Sequence, residues 1–360
     1  MTKTEKIPIW LDCDPGNDDA FAILLTIFNP RFNLLGISTV HGNAPLSMTT
    51  RNTLGILDIL KVSNIKVYEG STVPLHKPPH YALHVHGTNG IGGVIIPEET
   101  KNSISQDMDY LEAMRLNILK YEGKICLICT GTLTNIAKLI EKYPELKSKL
   151  RYISIMGGAF EFGNITPYAE FNFHTDPDAA SYVLDQLGSK VILTPLNLTH
   201  KAVATEEIRN RIYNESTHDM KNSEIRKSFF AILMFYANIY YTLFGMKSGP
   251  PVHDPLAVFS LLPFIDEDFG SYGYKYIRRK IKIVTEGIRQ GESVIINKEL
   301  DEDVEEENGI YIGQEVDTQL FWNTVISALN SAEYHIKKIT STGKEGGSAS
   351  LIENTNVIMI

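Results

Sequence analysis

Cysteine and tryptophan are scarce in this chain of 360 residues, which contains three cysteines and two tryptophans. Three cysteines cannot build a disulfide framework. Cys13, Cys126 and Cys129 all stand in apolar, strand-like runs, so we expect them to be small core residues. Cys126 and Cys129 have the spacing of half a zinc site, but no second cysteine pair accompanies them.

Long apolar runs and clusters of basic residues are also missing. No uninterrupted apolar segment approaches the roughly 18 residues that a membrane span requires, and no basic leader with an apolar run precedes Ile7. The formal net charge is -9 and the basic residues are dispersed, which favours neither nucleic acid nor an anionic membrane as a partner. We therefore expect a cytoplasmic protein that binds neither nucleic acid nor membranes.

Short apolar runs alternate with helical patterns along a chain of ordinary globular composition, 43% hydrophobic and 21% charged. The strands predicted are 7–13, 33–40, 65–68, 125–130, 152–156 and 191–195, and the helices are 18–28, 48–60, 108–120, 133–142, 223–244 and 317–329. This alternation predicts an α/β fold with a mostly parallel, Rossmann-like open sheet flanked by helices. We expect one domain over residues 1–335, followed by a tail of unassigned role over residues 336–360.

The segment LDCDPGNDDA, residues 11–20, contains four aspartates: Asp12, Asp14, Asp18 and Asp19. The first two lie two positions apart at the end of a predicted strand and so face the same way. A solvated helix cap would account for Asp18 or Asp19 but would leave Asp12 and Asp14 without partners. Because ligand sites of open α/β sheets form at the carboxyl ends of the strands, we expect the active site here. A hard cation with oxygen ligands would balance these charges.

Further polar segments follow other predicted strands or helices. They are HGNAP (41–45), CTGTLTN (129–135), the long segment from MGGAF to DPDAA (156–180) and GPPVHDPLAV (249–258). Together with DCDPGNDDA, and in this order, they resemble the nucleoside hydrolase family, the inosine-uridine-preferring nucleoside N-ribohydrolases. The resemblance extends from about Ile7 to about Val258, with weaker support as far as Leu329.

This resemblance implies a calcium site, a substrate pocket and a homodimer or homotetramer. The implied calcium ligands are Asp14, Asp19, the main-chain carbonyl of Thr130, and Asp254, with Asp12 supporting them. The implied ribose contacts are Asp18, Asn43, Met156, Asn164, Glu170 and Asn172, and the residues implied near the leaving base are His253, His86, Phe171 and Tyr241.

The chemistry of N-glycosidic hydrolysis suits these residue types. Cleavage develops positive charge on the sugar, which nearby carboxylates stabilise. We expect Asp14 to act as the general base toward water, and His253 to protonate the departing base as an imidazole that titrates near neutral pH. The predicted reaction converts a ribonucleoside and water to base and ribose, in nucleoside salvage. No spacing in the sequence identifies the preferred base.

Two other classes of protein stay open at this point. A phosphohydrolase with an Asp-x-Asp motif would also fit DCD, but it needs a phosphate-binding Ser or Thr and a Lys where this chain has Asn and Glu. A nucleoside- or ribose-binding protein without turnover would keep the same pocket. The chain also departs from the family pattern at Asn17, where we expect a histidine or an apolar residue, and in the glycine-rich segment 87–93. The acidic segment 301–308 has no assigned role.

Overall fold

The fold is that of a computed structural model, which describes residues 5–214, 223–297 and 305–342. The strands are β1 (Ile7–Cys13), β2 (Phe32–Thr39), β3 (Val67–Glu69), β4 (Cys126–Cys129), β5 (Tyr152–Met156), β6 (Val191–Thr194), β7 (Lys275–Arg279), β8 (Ile281–Ile283), β9 (Ser293–Ile295) and β10 (Ile310–Glu315). The helices are α1 (Asp19–Phe28), α2 (Leu46–Leu60), α3 (Leu83–His86), α4 (Tyr110–Lys120), α5 (Thr134–Lys142), α6 (Phe171–Thr175), α7 (Pro177–Leu187), α8 (Leu196–Thr199), α9 (Glu206–Asn214), α10 (Glu224–Phe244), α11 (Asp254–Ser260), α12 (Leu262–Asp266) and α13 (Thr318–Thr342). Two 3₁₀ helices cover Pro144–Ser148 and Gly188–Lys190.

Eight of these strands form one sheet in the order β3-β2-β1-β4-β5-β6-β10-β7. Within the described residues, all neighbouring pairs of this sheet are parallel except β10 and β7. Strands β8 and β9 pair separately. The prediction of a mostly parallel α/β sheet is confirmed. The strand order reverses between β1 and β4, which is where doubly wound sheets bind ligands at the carboxyl ends of their strands.

Strand β1 lies at the centre of the core and is apolar on both faces. Its alternating side chains divide between two apolar clusters, with Ile9 and Leu11 in one and Trp10 in the other. Parallel strands covered by helices on both faces carry such continuous apolar runs. The three cysteines are completely buried, as predicted.

Every helix and strand predicted from the sequence is present, with small shifts at most ends. Helix α10 begins after its cap Ser223 and ends at Gly245, which adopts φ 69°. Helix α13 begins after Asp317, whose Oδ1 accepts a hydrogen bond from Leu320 N at 2.9 Å. It continues to Thr342 rather than ending at residue 329, because Ala332 and Glu333 are still buried against the core and no glycine or proline interrupts it.

The elements that the sequence patterns did not predict are either short or come after the region in which predicted strands and helices alternate. They are α3, α6, α7, α8, α9, α11, α12 and β7 to β10. Most contain too few residues to show a hydrophobic period. In the described parts of the chain, no helix is long and apolar enough to cross a bilayer. Residues 301–304 of the acidic segment and 343–360 of the tail lie outside the described residues.

A buried ion pair joins the C-terminal helix to the helices before it. Arg226 of α10 lies with its Nε 2.9 Å from a carboxylate oxygen of Glu333 of α13, and both side chains are completely buried. Arg226 also donates to the carbonyl of Ile212 in α9 at 2.7 Å and to Asn330 Oδ1 at 2.5 Å. Ser223 donates its hydroxyl proton to Glu333 at 2.6 Å.

We predict that Arg226→Met destabilises the protein strongly, since it removes the guanidinium while the Glu333 carboxylate stays buried. Loss of one partner of a buried pair costs about 3–5 kcal/mol. Urea unfolding should show this loss, whereas Lys227→Met, which removes an exposed pair with Glu224 on the same helix, should leave the midpoint nearly unchanged. Similar midpoints for the two variants would contradict the stabilising role of the pair.

Candidate active site

Three buried carboxylates converge beyond the carboxyl end of β1. Asp18 precedes α1, Asp19 is the first residue of that helix, and Asp254 is the first residue of α11. One carboxylate oxygen from each lies within 4.8 Å of the others, and all three residues are buried. Only the tertiary fold brings Asp254 to the other two, because α11 follows them by more than half of the chain.

Asp14 and Thr130 complete the predicted metal-binding set. Asp14 Oδ2 accepts a hydrogen bond from the main-chain N–H of Asn43 at 2.7 Å. Its buried Oδ1 has no hydrogen-bond partner among the described residues. Thr130, just after β4, donates its hydroxyl proton to Asp19 Oδ1 at 2.7 Å. Residues after β1 and β4 therefore meet here with the N-terminal ends of α1 and α11.

Asp14, Asp18 and Asp254 of this cluster are harder to ionise than a free aspartic acid. Burial raises the pKa of Asp18 to about 7, and repulsion from Asp19 adds to the shift. Burial also raises the pKa of Asp14 and of Asp254 well above the usual range, with added repulsion from Asp19 and Asp18 respectively. The pKa of Asp12 is raised to about 7, again by burial. Crowded oxygen donors, with the buried Oδ1 atoms of Asp12 and Asp14 unpartnered, fit a hard divalent cation.

Glu170 and Asn172 form the neighbouring side of the site. The Glu170 carboxylate caps α6, accepting hydrogen bonds from the main-chain N–H groups of Asn172 and Gly158, both at 2.8 Å. Burial raises its pKa to about 7. The Asn172 amide donates to the carbonyls of Thr130 at 2.9 Å and Met156 at 3.2 Å. These contacts attach α6 to the ends of β4 and β5.

These groups surround a cavity that is open to solvent. The predicted residues that line it are Asp18, Asn43, His86, Thr130, Met156, Asn164, Glu170, Phe171, Asn172, His253 and Asp254. Asp12, Asp14 and Asp19 lie behind this lining and are fully or almost fully buried.

Helix α10 contributes different residues from the one predicted. Tyr241 does not line the cavity, and 57% of it is exposed. Tyr236 and Phe244 line the cavity instead. Tyr236 and Tyr240, four positions apart, share the buried face of the helix, whereas Tyr241 is displaced by about 100° from Tyr240. The helical periodicity of the apolar residues in α10 could have identified Tyr236 from the sequence, because Tyr236 lies on the buried face of this helix.

His253 is held by hydrogen bonds on both ring nitrogens. Nε2 lies 2.8 Å from Tyr240 Oη, and Nδ1 lies 2.7 Å from Thr199 Oγ1. Tyr236 Oη donates to Tyr240 Oη at 3.3 Å, which extends the chain along α10. The main-chain N–H of His253 donates to Asp18 Oδ2 at 3.1 Å. Sequence reasoning missed Thr199, and it placed Tyr240 near the base without connecting it to His253, since no spacing links these residues.

The prediction that His253 titrates near neutral pH was wrong. Burial lowers its pKa well below the usual value, and the nearby His200 and His86 lower it further. This shift favours the neutral imidazole form of His253. Burial similarly lowers the pKa of His86 to about 3. A neutral imidazole has one N–H donor and one acceptor nitrogen, whereas an imidazolium has two N–H donors.

Comparison with known proteins identifies the family. The sequence profile described as inosine-uridine preferring nucleoside hydrolase matches residues 9–323. The chain belongs to this family. A uridine nucleosidase of Saccharomyces cerevisiae is 42% identical over 91% of this chain and 97% of its own length. A pyrimidine-specific ribonucleoside hydrolase of Escherichia coli is 36% identical over 71% of this chain and 79% of its own length.

Solved structures agree with this membership. A purine-preferring ribonucleoside hydrolase from Gardnerella vaginalis superposes with a TM-score of 0.79 and is 27% identical, covering 91% of this chain and 99% of that one. This nucleoside hydrolase is therefore an enzyme, a nucleoside N-ribohydrolase, as the sequence predicted. Its family is metal-dependent, and the aspartate cluster is present.

We predict that the metal-free nucleoside hydrolase loses stability as pH rises from about 4 to about 7. A native pKa raised above the unfolded value means that the folded state binds more protons, so stability falls across this window, as for Asp18. Asp254→Asn removes one charge from the cluster and should raise the Tm of the metal-free protein at pH 8, by at least about 2 °C. Thermal unfolding in chelator measures both effects.

Calcium provides the second half of this experiment. A ligand at about 100 times its Kd stabilises the folded state by about 2.7 kcal/mol. Added calcium should therefore raise the Tm of the wild type and of Asp185→Asn, an exposed control, but not that of Asp254→Asn. A Tm independent of pH in chelator, or equal calcium shifts in all three proteins, would refute the role given to the cluster.

Proposed function

We propose that this enzyme hydrolyses the N-glycosidic bond of pyrimidine ribonucleosides, with uridine preferred, and that it requires calcium. The observation that carries the proposal is the convergence of Asp18, Asp19 and Asp254 at a cavity that the residues predicted to bind ribose also line. The preference for uridine is supported by the 42% identity to a uridine nucleosidase over nearly the whole chain.

Asp14, Asp19, the carbonyl of Thr130, and Asp254 would hold the calcium ion. When bound, the ion lowers the pKa of a coordinated water and orients the sugar. The Thr130 carbonyl already accepts from Asn172, and its second lone pair stays available for a cation. Asp12 would support this set from the side away from the cavity. It accepts a hydrogen bond from Asn135 Nδ2 at 2.8 Å.

The ribose would lie among Asp18, Asn43, Asn164, Glu170 and Asn172, with Met156 against the sugar. All six of these residues line the cavity. Their carboxylates stabilise the positive charge that develops on the sugar, and their amides hold the hydroxyl groups. Asp14, whose Oδ1 is unpartnered, accepts a proton from the attacking water as general base.

The departing base would meet His253, His86 and Phe171, with Tyr236 beside them. Burial favours the neutral form of His253, and both ring nitrogens already have hydrogen-bond partners. A ring N–H would therefore reach the base when the base replaces Tyr240 or Thr199 as its partner. The hydroxyl of Tyr236 continues the hydrogen-bonded chain from Tyr240 along α10. Tyr241 stays a predicted contact that would require a different position of α10.

The biological setting follows from the same proposal. Hydrolysis of uridine to uracil and ribose would serve nucleoside salvage in the cytoplasm. We propose a homodimer or homotetramer, as the family resemblance implies. Size-exclusion chromatography with light scattering would distinguish these assemblies from the 40.4 kDa monomer.

We predict that the purified enzyme releases uracil and ribose from uridine in calcium buffer and loses this activity after chelation. Readdition of calcium should restore it, because an oxygen-only site of this charge prefers a hard cation. Chromatography of the bases and a reducing-sugar assay give the two products. Full activity without metal would sink the calcium proposal, and calcium-dependent uridine binding without products would sink the catalytic one.

A second prediction separates the metal side of the site from the leaving-group side through two neighbours, His253 and Asp254. Asp254→Ala should suppress hydrolysis of every riboside by several kcal/mol of lost transition-state stabilisation. His253→Ala should impair uridine hydrolysis by about 10²-fold or more, yet largely spare p-nitrophenyl riboside, whose phenolate departs without a proton. The measurement is kcat/KM for both substrates at saturating calcium.

The contrast between substrates is the informative part of this test. A histidine with only a structural role, or one that binds the metal, would reduce both activities alike. Thr199→Val is a useful companion, since it removes the hydroxyl beside His253 Nδ1 at similar volume and should give a milder form of the same pattern. Equal losses for His253→Ala on both substrates would remove His253 from the leaving-group role.

A further inference from the structure

Asn17 lies in the loop between β1 and α1, and only 1% of it is exposed. Its side-chain amide donates one proton to the carbonyl of Gly92 at 2.9 Å and the other to the carbonyl of Ile232 at 3.1 Å. Gly92 belongs to the glycine-rich segment 87–93, and Ile232 lies on α10. One buried amide therefore joins two separate elements to the loop that carries Asp18 and Asp19.

The glycine-rich segment itself lies directly against α10. A Cβ at Gly92 would come within 2.2 Å of the Phe235 ring, and one at Gly93 within 2.2 Å of the carbonyl of Ala231. Gly92 also donates its N–H to the carbonyl of His86 at 2.7 Å. Segment 87–93 is therefore closely packed against α10.

A second asparagine holds the other end of the segment. Asn52 donates its amide protons to the carbonyls of Pro15 at 3.2 Å and Asn89 at 3.1 Å. Asn52 therefore ties the glycine-rich segment to the β1–α1 loop but makes no contact with α10 through these bonds. This difference makes Asn52 a matched control for Asn17.

Residue 17 also orients His86. The main-chain N–H of Asn17 donates to His86 Nδ1 at 3.1 Å, and Asn17 Oδ1 lies 3.3 Å from the same nitrogen. With Nδ1 as the acceptor of the shorter bond, the ring proton is on Nε2. Among the described residues, Nε2 has no hydrogen-bond partner, and His86 lines the cavity with its ring stacked on Tyr236 at 5.6 Å. An N–H donor is thereby available to a ligand on this side of the cavity.

We propose that Asn17 is a positioning residue that sets the base-side wall, which we define as His86, segment 87–93 and residues 231–240 of α10. By fixing this wall relative to Asp18 and Asp19, Asn17 determines how tightly the enzyme holds the base and how well it distinguishes one base from another. The inference rests on the proposed function. It assigns a role to the position at which this chain departs from the family signature.

The test compares Asn17→Ala and Asn17→Asp with Asn52→Ala, at saturating calcium. Asn17→Asp keeps the shape but replaces Nδ2, which carries both N–H donors, with one carboxylate oxygen that faces the two carbonyls. We expect both Asn17 variants to raise KM for uridine at least tenfold and to reduce the uridine-to-inosine ratio of kcat/KM. The kcat for p-nitrophenyl riboside, which needs no hydrogen bond to a base, should stay within about threefold of the wild type.

Amide hydrogen exchange gives a readout that does not depend on activity. Exchange should accelerate in 87–93 and 231–240 for the Asn17 variants, and in 87–93 but not in α10 for Asn52→Ala, with α13 unchanged in all three. Unchanged exchange in α10, or an equal loss of kcat on uridine and on p-nitrophenyl riboside, would overturn the proposal. If the wild type hydrolysed no riboside, the proposed function would fail, while the exchange comparison would still test whether Asn17 holds this wall.

Discussion

Mutual repulsion between buried carboxylates is the constraint on which the rest of this structure depends. Asp14, Asp18, Asp19 and Asp254 are buried together, and burial opposes the ionisation of at least three of them. Such an arrangement costs folding stability unless protons or a cation neutralise it. Main-chain N–H groups of Asn43 and His253, which donate to Asp14 and Asp18, offset part of this cost.

The two sides of the cavity are built in different ways. The proposed metal and ribose side comes mainly from segments that follow β1, β2, β4 and β5, and Asp254 joins it from α11. The proposed base side comes mainly from α3, α10 and the glycine-rich segment, which Asn17 and Asn52 join to the β1–α1 loop, and His253 and Phe171 join it from the ends of α11 and α6.

Sequence reasoning predicted correctly those features that depend only on residues close together in the chain. The strand ending in Asp12 and Cys13, the helix stop at Gly245 and the cap at Asp317 each depend on neighbours within a few residues. It failed at His253, whose pKa reflects burial and two other histidines that are distant in the chain. It also selected Tyr241 rather than Tyr236, because identifying the cavity-facing residue requires knowing which face of α10 packs inward.

The sequence alone determined the alternation of strands and helices, the ordered polar segments at their ends and hence the family, because these are properties of short windows and of their order. Only the tertiary structure decided that Asp254 joins Asp18 and Asp19, that Thr199 and Tyr240 hold His253, and that Asn17 bridges Gly92 and Ile232. These contacts join residues far apart in the chain. Their existence depends on how the helices pack on the sheet, since the energy of a hydrogen bond or a repulsion depends on distance in space and not on separation in sequence.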